Sequence, residues 1–215
     1  MRCDAKFKKE VRLACYGALE REGFTRFRKE GVDWPLDDGF HAWVGLNTGL
    51  YPDRVIVEPF VGVHVVPIEK LRSLKGGENP QKYDRRIATY AIHMGQLETI
   101  GEDQRAFAFA PQQSEGFIQS ECERLAHLYA TAGLDYARSI ASYEALLPLL
   151  QERVDTLGGY PERVASCLYL MGRKAEARAF IETFPEKYQE YIEGFAKPFL
   201  ELLDQEGVTS AVTGQ

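Results

Sequence analysis

The stretch RVIVEPFVGVHVVP, residues 54–67, sets the tightest limit on the fold. Val55, Val57, Val61, Val63 and Val65 fall on one side of an extended chain, and Ile56, Glu58, Phe60, Gly62, His64 and Val66 on the other. That is the period of a β-strand, and a valine face of this length must be covered by a second layer. Pro59 has no backbone N–H, so the strand has to bend, bulge or lie at an edge near its middle. Gly62 permits close approach of a neighbouring backbone or ring. His64, on the mixed face, is either a working group or a polar tenant of a packing surface.

The sequence on either side supplies strand partners and cover. FHAWVGLN puts Phe40, Ala42, Val44 and Leu46 on one face and His41, Trp43, Gly45 and Asn47 on the other. FTRFRKE alternates basic residues with Phe, while GVDWPLDDGF reads as a loop rich in Gly, Pro and Asp, and TGLYPDR as a turn. Downstream, YDRRIATYAIHMGQL and RAFAFAP read as two further strands, and PIEKLRSLKGG as a short helix stopped by two glycines. Ahead of them all, Phe7, Val11, Ala14, Cys15, Ala18 and Leu19 recur at helical steps, and Gly23 suits the end of that helix, returning Phe24 to the core.

Beyond Pro111 the apolar spacing becomes helical. Ile118, Cys122, Leu125, Ala126, Leu128 and Tyr129 form a stripe with Gly133 as its stop, and DYARSIASYEALLPLLQERVDTLGG reads as a second helix with a kink site at Pro148. PERVASCLYLMG, RKAEARAFIETFP and EKYQEYIEGFAKPFLELLDQEG follow. Two of these segments echo each other: LAHLYATAGLDYARSI and ASCLYLMGRKAEARAFI both run Leu-Tyr, Gly, Ala-Arg, with Leu128-Tyr129 and Leu168-Tyr169 40 positions apart. The pattern G-x-x-x-E-A-R starting at Gly172 resembles the second helix of a tetratricopeptide unit. Two copies fall short of the roughly three that a solenoid needs. The expected class is α+β: an N-terminal helix on a mostly antiparallel sheet of about five strands over residues 1–111, then a helical bundle or short helical repeat over 112–215, either separate or packed on the sheet as one unit.

Common catalytic and cofactor motifs are missing. KGGENP lacks the glycine order that turns backbone donors toward a phosphate, and no serine sits in GxSxG. Cys3, Cys15, Cys122 and Cys167 make no CxxC pair, and His41, His64, His93 and His127 no HExxH or HxH. No metal and no cofactor are therefore expected. Glu58 shares a face with His64 but lies about 20 Å away along a straight strand, whereas His41 can meet His64 across strands. His41, His64 and Glu58 define the alternative of a small-molecule enzyme with a pocket on the sheet. No run of 18 apolar residues and no signal-type hydrophobic segment occur, which points away from membranes and toward a cytoplasmic location.

The net charge of −6 divides into +3 over residues 1–97 and −9 over 98–215. An acidic second half repels phosphates and steers cationic partners, so nucleic acid is not expected and a protein with a basic surface is. Candidate contact residues are Trp34, Asp37, Asp38, Trp43 and Tyr51 in and around GVDWPLDDGFHAWVG, a stretch that also holds Asp33. Glu182, Glu186, Glu190 and Glu193 recur at helical spacing, with Pro185 after the first of them.

The succession of helix, GF, loop, a strand with WVGLN and a strand with PFVGVH over the first hundred residues resembles bacterial immunity proteins of polymorphic toxin systems. That resemblance implies a cytoplasmic, acidic, non-enzymatic protein that covers and neutralises a cognate toxin. A third expectation, from the helical echo, is a repeat adaptor in which residues 112–206 grip a peptide.

Overall fold

The computed structural model describes residues 3–74, 83–156, 159–184 and 189–212. The fold is α+β, with an N-terminal helix, an antiparallel sheet of six strands and then helices. The chain divides into two compact units, each made of two segments: residues 1–64 with 90–141, and residues 65–89 with 142–215.

The first unit begins with α1 (Ala5–Arg21), whose N-terminus is capped by Asp4 accepting from the Phe7 N–H at 2.8 Å. Gly23 ends it at φ 101°, a left-handed conformation that glycine adopts without penalty, and the Phe24 N–H donates back to the Leu19 carbonyl. Phe24 then returns to the core, as the sequence predicts. The strands β1 (Thr25–Arg28), β2 (Gly31–Pro35), β3 (Phe40–Leu50) and β4 (Val55–Val65) lie side by side in that order. The sheet has one strand more than expected because GVDWP, read as a loop, is β2. It is hydrogen-bonded on both edges, with Thr25 opposite Asp33 and Asp33 opposite Trp43. Pairing on two sides outweighs the poor strand propensity of Gly, Asp and Pro.

Pro59 explains how the remaining strands attach. The far edge of β4 is shared by β6 (Phe107–Phe109), opposite Val55–Val57, and β5 (Tyr90–His93), opposite Phe60–Val63. The residue without a donor falls at the changeover between them, where neither of these two strands pairs with it. Gly62 sits opposite Ala91 so closely that a Cβ would lie 1.9 Å from the Tyr90 carbonyl oxygen. The valines of β4 are buried with Phe40, Ala42, Val44 and Leu46 of β3, each at 7% exposure or less. Each such side chain contributes roughly 1.5–3 kcal/mol on burial.

Cover for this face comes from α1 and from a long helical run: α3 (Glu115–Leu128), a wider π-type turn (Tyr129–Gly133) and α4 (Leu134–Ser139). Gly133 does not stop the helix as expected. It keeps φ near −65°, and the run continues to Ser139 before α5 (Tyr143–Gln151) starts afresh under the Ser142 cap.

The second unit holds α2 (Val66–Arg72), α5, α6 (Tyr160–Leu170), α7 (Lys174–Glu182) and α8 (Gln189–Val212). The glycines expected to stop α2, Gly76 and Gly77, lie outside the described residues. Helix α6 is the centre, packed by α2, α5, α7 and α8, and every residue from Pro161 to Leu168 is buried. Burial includes charge: the Arg163 guanidinium donates to Glu69 at 2.7 Å, and Glu69 also accepts from the Thr89 hydroxyl at 2.9 Å and Arg72 at 3.3 Å. The carboxylate is thus solvated by protein donors in place of water, the condition under which a buried ion pair is tolerated. Gly172, at φ 75°, reverses the chain between α6 and α7.

Candidate functional site

Register decides which side chains share a face. Asp33 lies opposite Trp43, and Trp34 opposite Ala42. Trp34 therefore joins the core face, where its ring meets Phe24 edge-on at 5.5 Å and lies over Gly23. Trp43 joins the other face with Asp33, His41 and Gly45, its ring folded over Gly45 at the point where a Cβ would come within 2.4 Å. The two tryptophans nominated together by sequence thus project from opposite faces of the sheet.

Asp37 and Asp38 are exposed in the short 3-10 turn Asp37–Gly39 between β2 and β3. Asp38 takes φ 55°, which Asp tolerates better than most residues. Tyr51 stands in the turn joining β3 to β4, closed by its N–H donating to the Arg54 carbonyl at 2.9 Å. Its ring lies over Gly49, and the Arg54 guanidinium is 5.7 Å from the ring centre. Tyr51 and its neighbour Leu50 are 46% and 43% exposed, large apolar side chains held outward on a hydrogen-bonded hairpin.

The glutamates are not one ridge. Glu182 ends α7, exposed and held by Arg178 at 3.4 Å, whereas Glu193 is exposed on α8. Glu190 belongs to α8, and Glu186 lies outside the described residues.

The mixed face of the sheet brings together a group that the sequence supplied only in part. His41 Nδ1 lies 3.5 Å from the Asp33 carboxylate, and the His41 and His64 rings stand 6.3 Å apart. The two histidines do meet across strands. Glu58 is not with them, since the Asn47 amide donates to it at 2.9 Å. Reading 31–35 as a loop hides Asp33 as their neighbour; as a strand, alternation puts Asp33 on the His41 face. Access is limited, with Asp33 2% and His64 1% exposed.

Among the described residues, no three His, Cys, Asp or Glu side chains converge as a metal site, and no helix is long and apolar enough to cross a membrane. Comparison with protein-family models, curated proteins and solved structures finds no match to this chain.

Proposed function

We propose that this protein is a non-enzymatic binding module of the immunity type, which covers and neutralises a cognate bacterial toxin with a basic surface. The observation that carries the reading is the β3–β4 turn, where Leu50 and Tyr51 are presented side by side and outward. A Tyr whose ring already rests against Gly49 with Arg54 near it loses little freedom when a partner covers it, so most of its buried area counts toward affinity. Asp37 and Asp38, and separately Glu182 and Glu193, offer exposed carboxylates that steer a cationic partner.

The test is co-expression with the product of the adjacent gene. Growth rescue by the wild-type chain, and its loss with the pair Leu50→Ser and Tyr51→Ala at unchanged folded content, is the expected result. Binding measured from low to moderate salt should weaken as exposed charges are screened. Undiminished rescue by the double variant overturns the reading.

A second reading has one observation in its favour, the Asp33, His41 and His64 cluster. It makes the mixed face the seat of small-molecule chemistry, with His41 as acid or base oriented by Asp33. Under that reading His41→Ala abolishes turnover in a substrate screen while leaving partner binding intact; under the binding reading it changes neither.

A further inference from the structure

Helices α1 and α3 pack along each other, and between them opens a groove of about 290 Å³ lined by Ala14, Gly17 and Arg21 of α1 and by Gln119 and Cys122 of α3. The groove exists because α1 presents small residues there; the space beyond Gly17 meets nothing nearer than the Arg21 guanidinium at 3.8 Å. Cys122 forms part of its lining, and directly behind it, on α1, is Cys15, with the two sulfurs 3.5 Å apart. Both are free thiols, Cys15 0% and Cys122 1% exposed, and of the two it is Cys122 that borders the groove. A disulfide needs about 2.05 Å between sulfurs, so an approach of roughly 1.5 Å separates this pair from a bond.

We infer that Cys15 and Cys122 are a redox-active dithiol, a covalent modification site at which a low-molecular-weight disulfide entering the groove is reduced and the two thiols are joined. The Cys122 thiolate attacks one sulfur of the incoming disulfide, breaking its S–S bond and releasing one thiolate, which takes a proton from water. Cys15 then attacks Cys122 Sγ, forming the Cys15–Cys122 bond and passing its proton to the second small sulfur, which leaves as a thiol. The protein is oxidised by two electrons, and one small disulfide becomes two thiols.

Position assigns the two roles, since Cys122 borders the groove and Cys15 lies behind it, so Cys122 is the attacking sulfur. The hydrogen bond the two thiols share holds Cys122 below the ordinary cysteine range, with Arg21 adding to the effect. Cys15 is raised well above that range, first by its hydrogen bond to Cys122 and then by burial. Once Cys122 is consumed in the mixed disulfide, that hydrogen bond and the repulsion from its charge vanish, which frees Cys15 to act second. The other cysteines lack these features: burial raises the Cys3 thiol and pushes Cys167 up to about 12.

The experiment exposes the native protein to oxidised glutathione near neutral pH, quenches with an alkylating agent and maps the peptides without reduction. The expected product is a cross-link between the peptides carrying Cys15 and Cys122. With Cys15→Ser the reaction stops at one glutathione on Cys122, formed at least about tenfold faster than at Cys3 or Cys167. With Cys122→Ser, Cys15 stays a free thiol. A native wild-type protein that takes glutathione first at Cys3 or Cys167, or that cross-links only after denaturation, overturns the inference, and this arm needs no variant to fold. The reading of the hairpin as a partner site is untouched by either result.

Discussion

Tyr129 and Tyr169 stand 40 positions apart in two stretches of similar lettering, and the chain does opposite things after each. Tyr129 is 1% exposed, and its hydroxyl lies 2.7 Å from the Gly45 carbonyl of β3 and 3.0 Å from the Phe60 carbonyl of β4. Tyr169 is half-buried, edge-on to Phe199 at 6.0 Å with the Lys174 ammonium over its ring. After Tyr129 the helix widens by one residue and carries straight on; after Tyr169 the chain reverses at Gly172. Gly133 is wedged near Met94, Val61 and the Tyr129 ring, whereas a Cβ on Gly172 would meet nothing within 4 Å. One glycine is present because side chains crowd it, the other because the backbone turns. An echo of letters therefore records which residue types helices prefer near a contact, and does not by itself make a structural repeat.

The contrast is greatest one turn and a half upstream, where Arg163 of α6 corresponds to Glu123 of α3. Arg163 is 2% exposed and bonded to Glu69, while Glu123 lies at the surface with Arg21 and Gln119 beside it. Arg163→Ala takes the nearer, buried cation from the Glu69 carboxylate and leaves it the part-exposed Arg72 at 3.3 Å, which should cost about 3 kcal/mol. Glu123→Ala should stay within about 0.5 kcal/mol of wild type. Urea midpoints at constant slope measure both, and equal effects would mean that the two helices are not differently buried after all. Replacing Glu69 and Arg163 together by Leu and Met should recover much of the loss, because the unpaired charge is what costs most.

Much of this was legible wherever one periodicity held without competition. The two faces of β3 and β4, most of the α1 stripe and its stop at Gly23 follow from alternation and helical spacing alone, though Ala14 of that stripe is exposed and Tyr16 is buried. Failures came where a long-range partner overrode local chemistry. GVDWP is strand because β1 and β3 flank it; β5 is four residues of a longer expected strand because only Tyr90–His93 find β4 opposite them. The site suffered in proportion. Asp33 could not be set beside His41 until β2 was a strand, and nothing in the sequence pairs Glu69 with Arg163, or Cys15 with Cys122, across 94 and 107 positions. Residue type alone nominates Tyr51, and what makes it useful, an exposed ring resting against Gly49, is a property of the turn.

The tyrosines themselves give the next largest effect. Tyr129→Phe removes the donor aimed at two buried carbonyls and should cost about 1–3 kcal/mol. Tyr169→Phe should cost less than about 1 kcal/mol, because water reaches the half-exposed position and replaces what the hydroxyl gave. Ionisation separates them further. Burial holds the Tyr129 phenol well above its ordinary range, so folding favours the neutral form. That contribution is complete below the unfolded-state value of about 10 and is lost as pH climbs through it toward the higher folded value. The Tyr129→Phe variant has no such group to ionise, so its deficit against wild type should shrink in alkaline denaturation series above about pH 10. A deficit that stays constant would mean the hydroxyl is not buried.

The smallest effects test the glycines, and here the two copies should differ in sign. Gly172→Ala forces a side chain into φ 75° with free space around it, so the cost is conformational alone, about 1 kcal/mol. Gly133→Ala enters a helix at φ near −65°, where Ala is favoured over Gly by about 0.8–1 kcal/mol. Against that gain, the new methyl would lie 3.3 Å from the end of Met94, 3.4 Å from the Tyr129 ring and 3.5 Å from Val61. The nearest of these atoms is the tip of a flexible side chain that can yield by a few tenths of an ångström, so the propensity term prevails and the variant should be stabilised by up to about 0.5 kcal/mol. Thermal melts of the two variants in parallel decide the matter. A loss at both positions would mean that the π-type turn needs glycine for its backbone as much as the α6–α7 reversal does, and the distinction between a crowded glycine and a turning one would no longer hold for this pair.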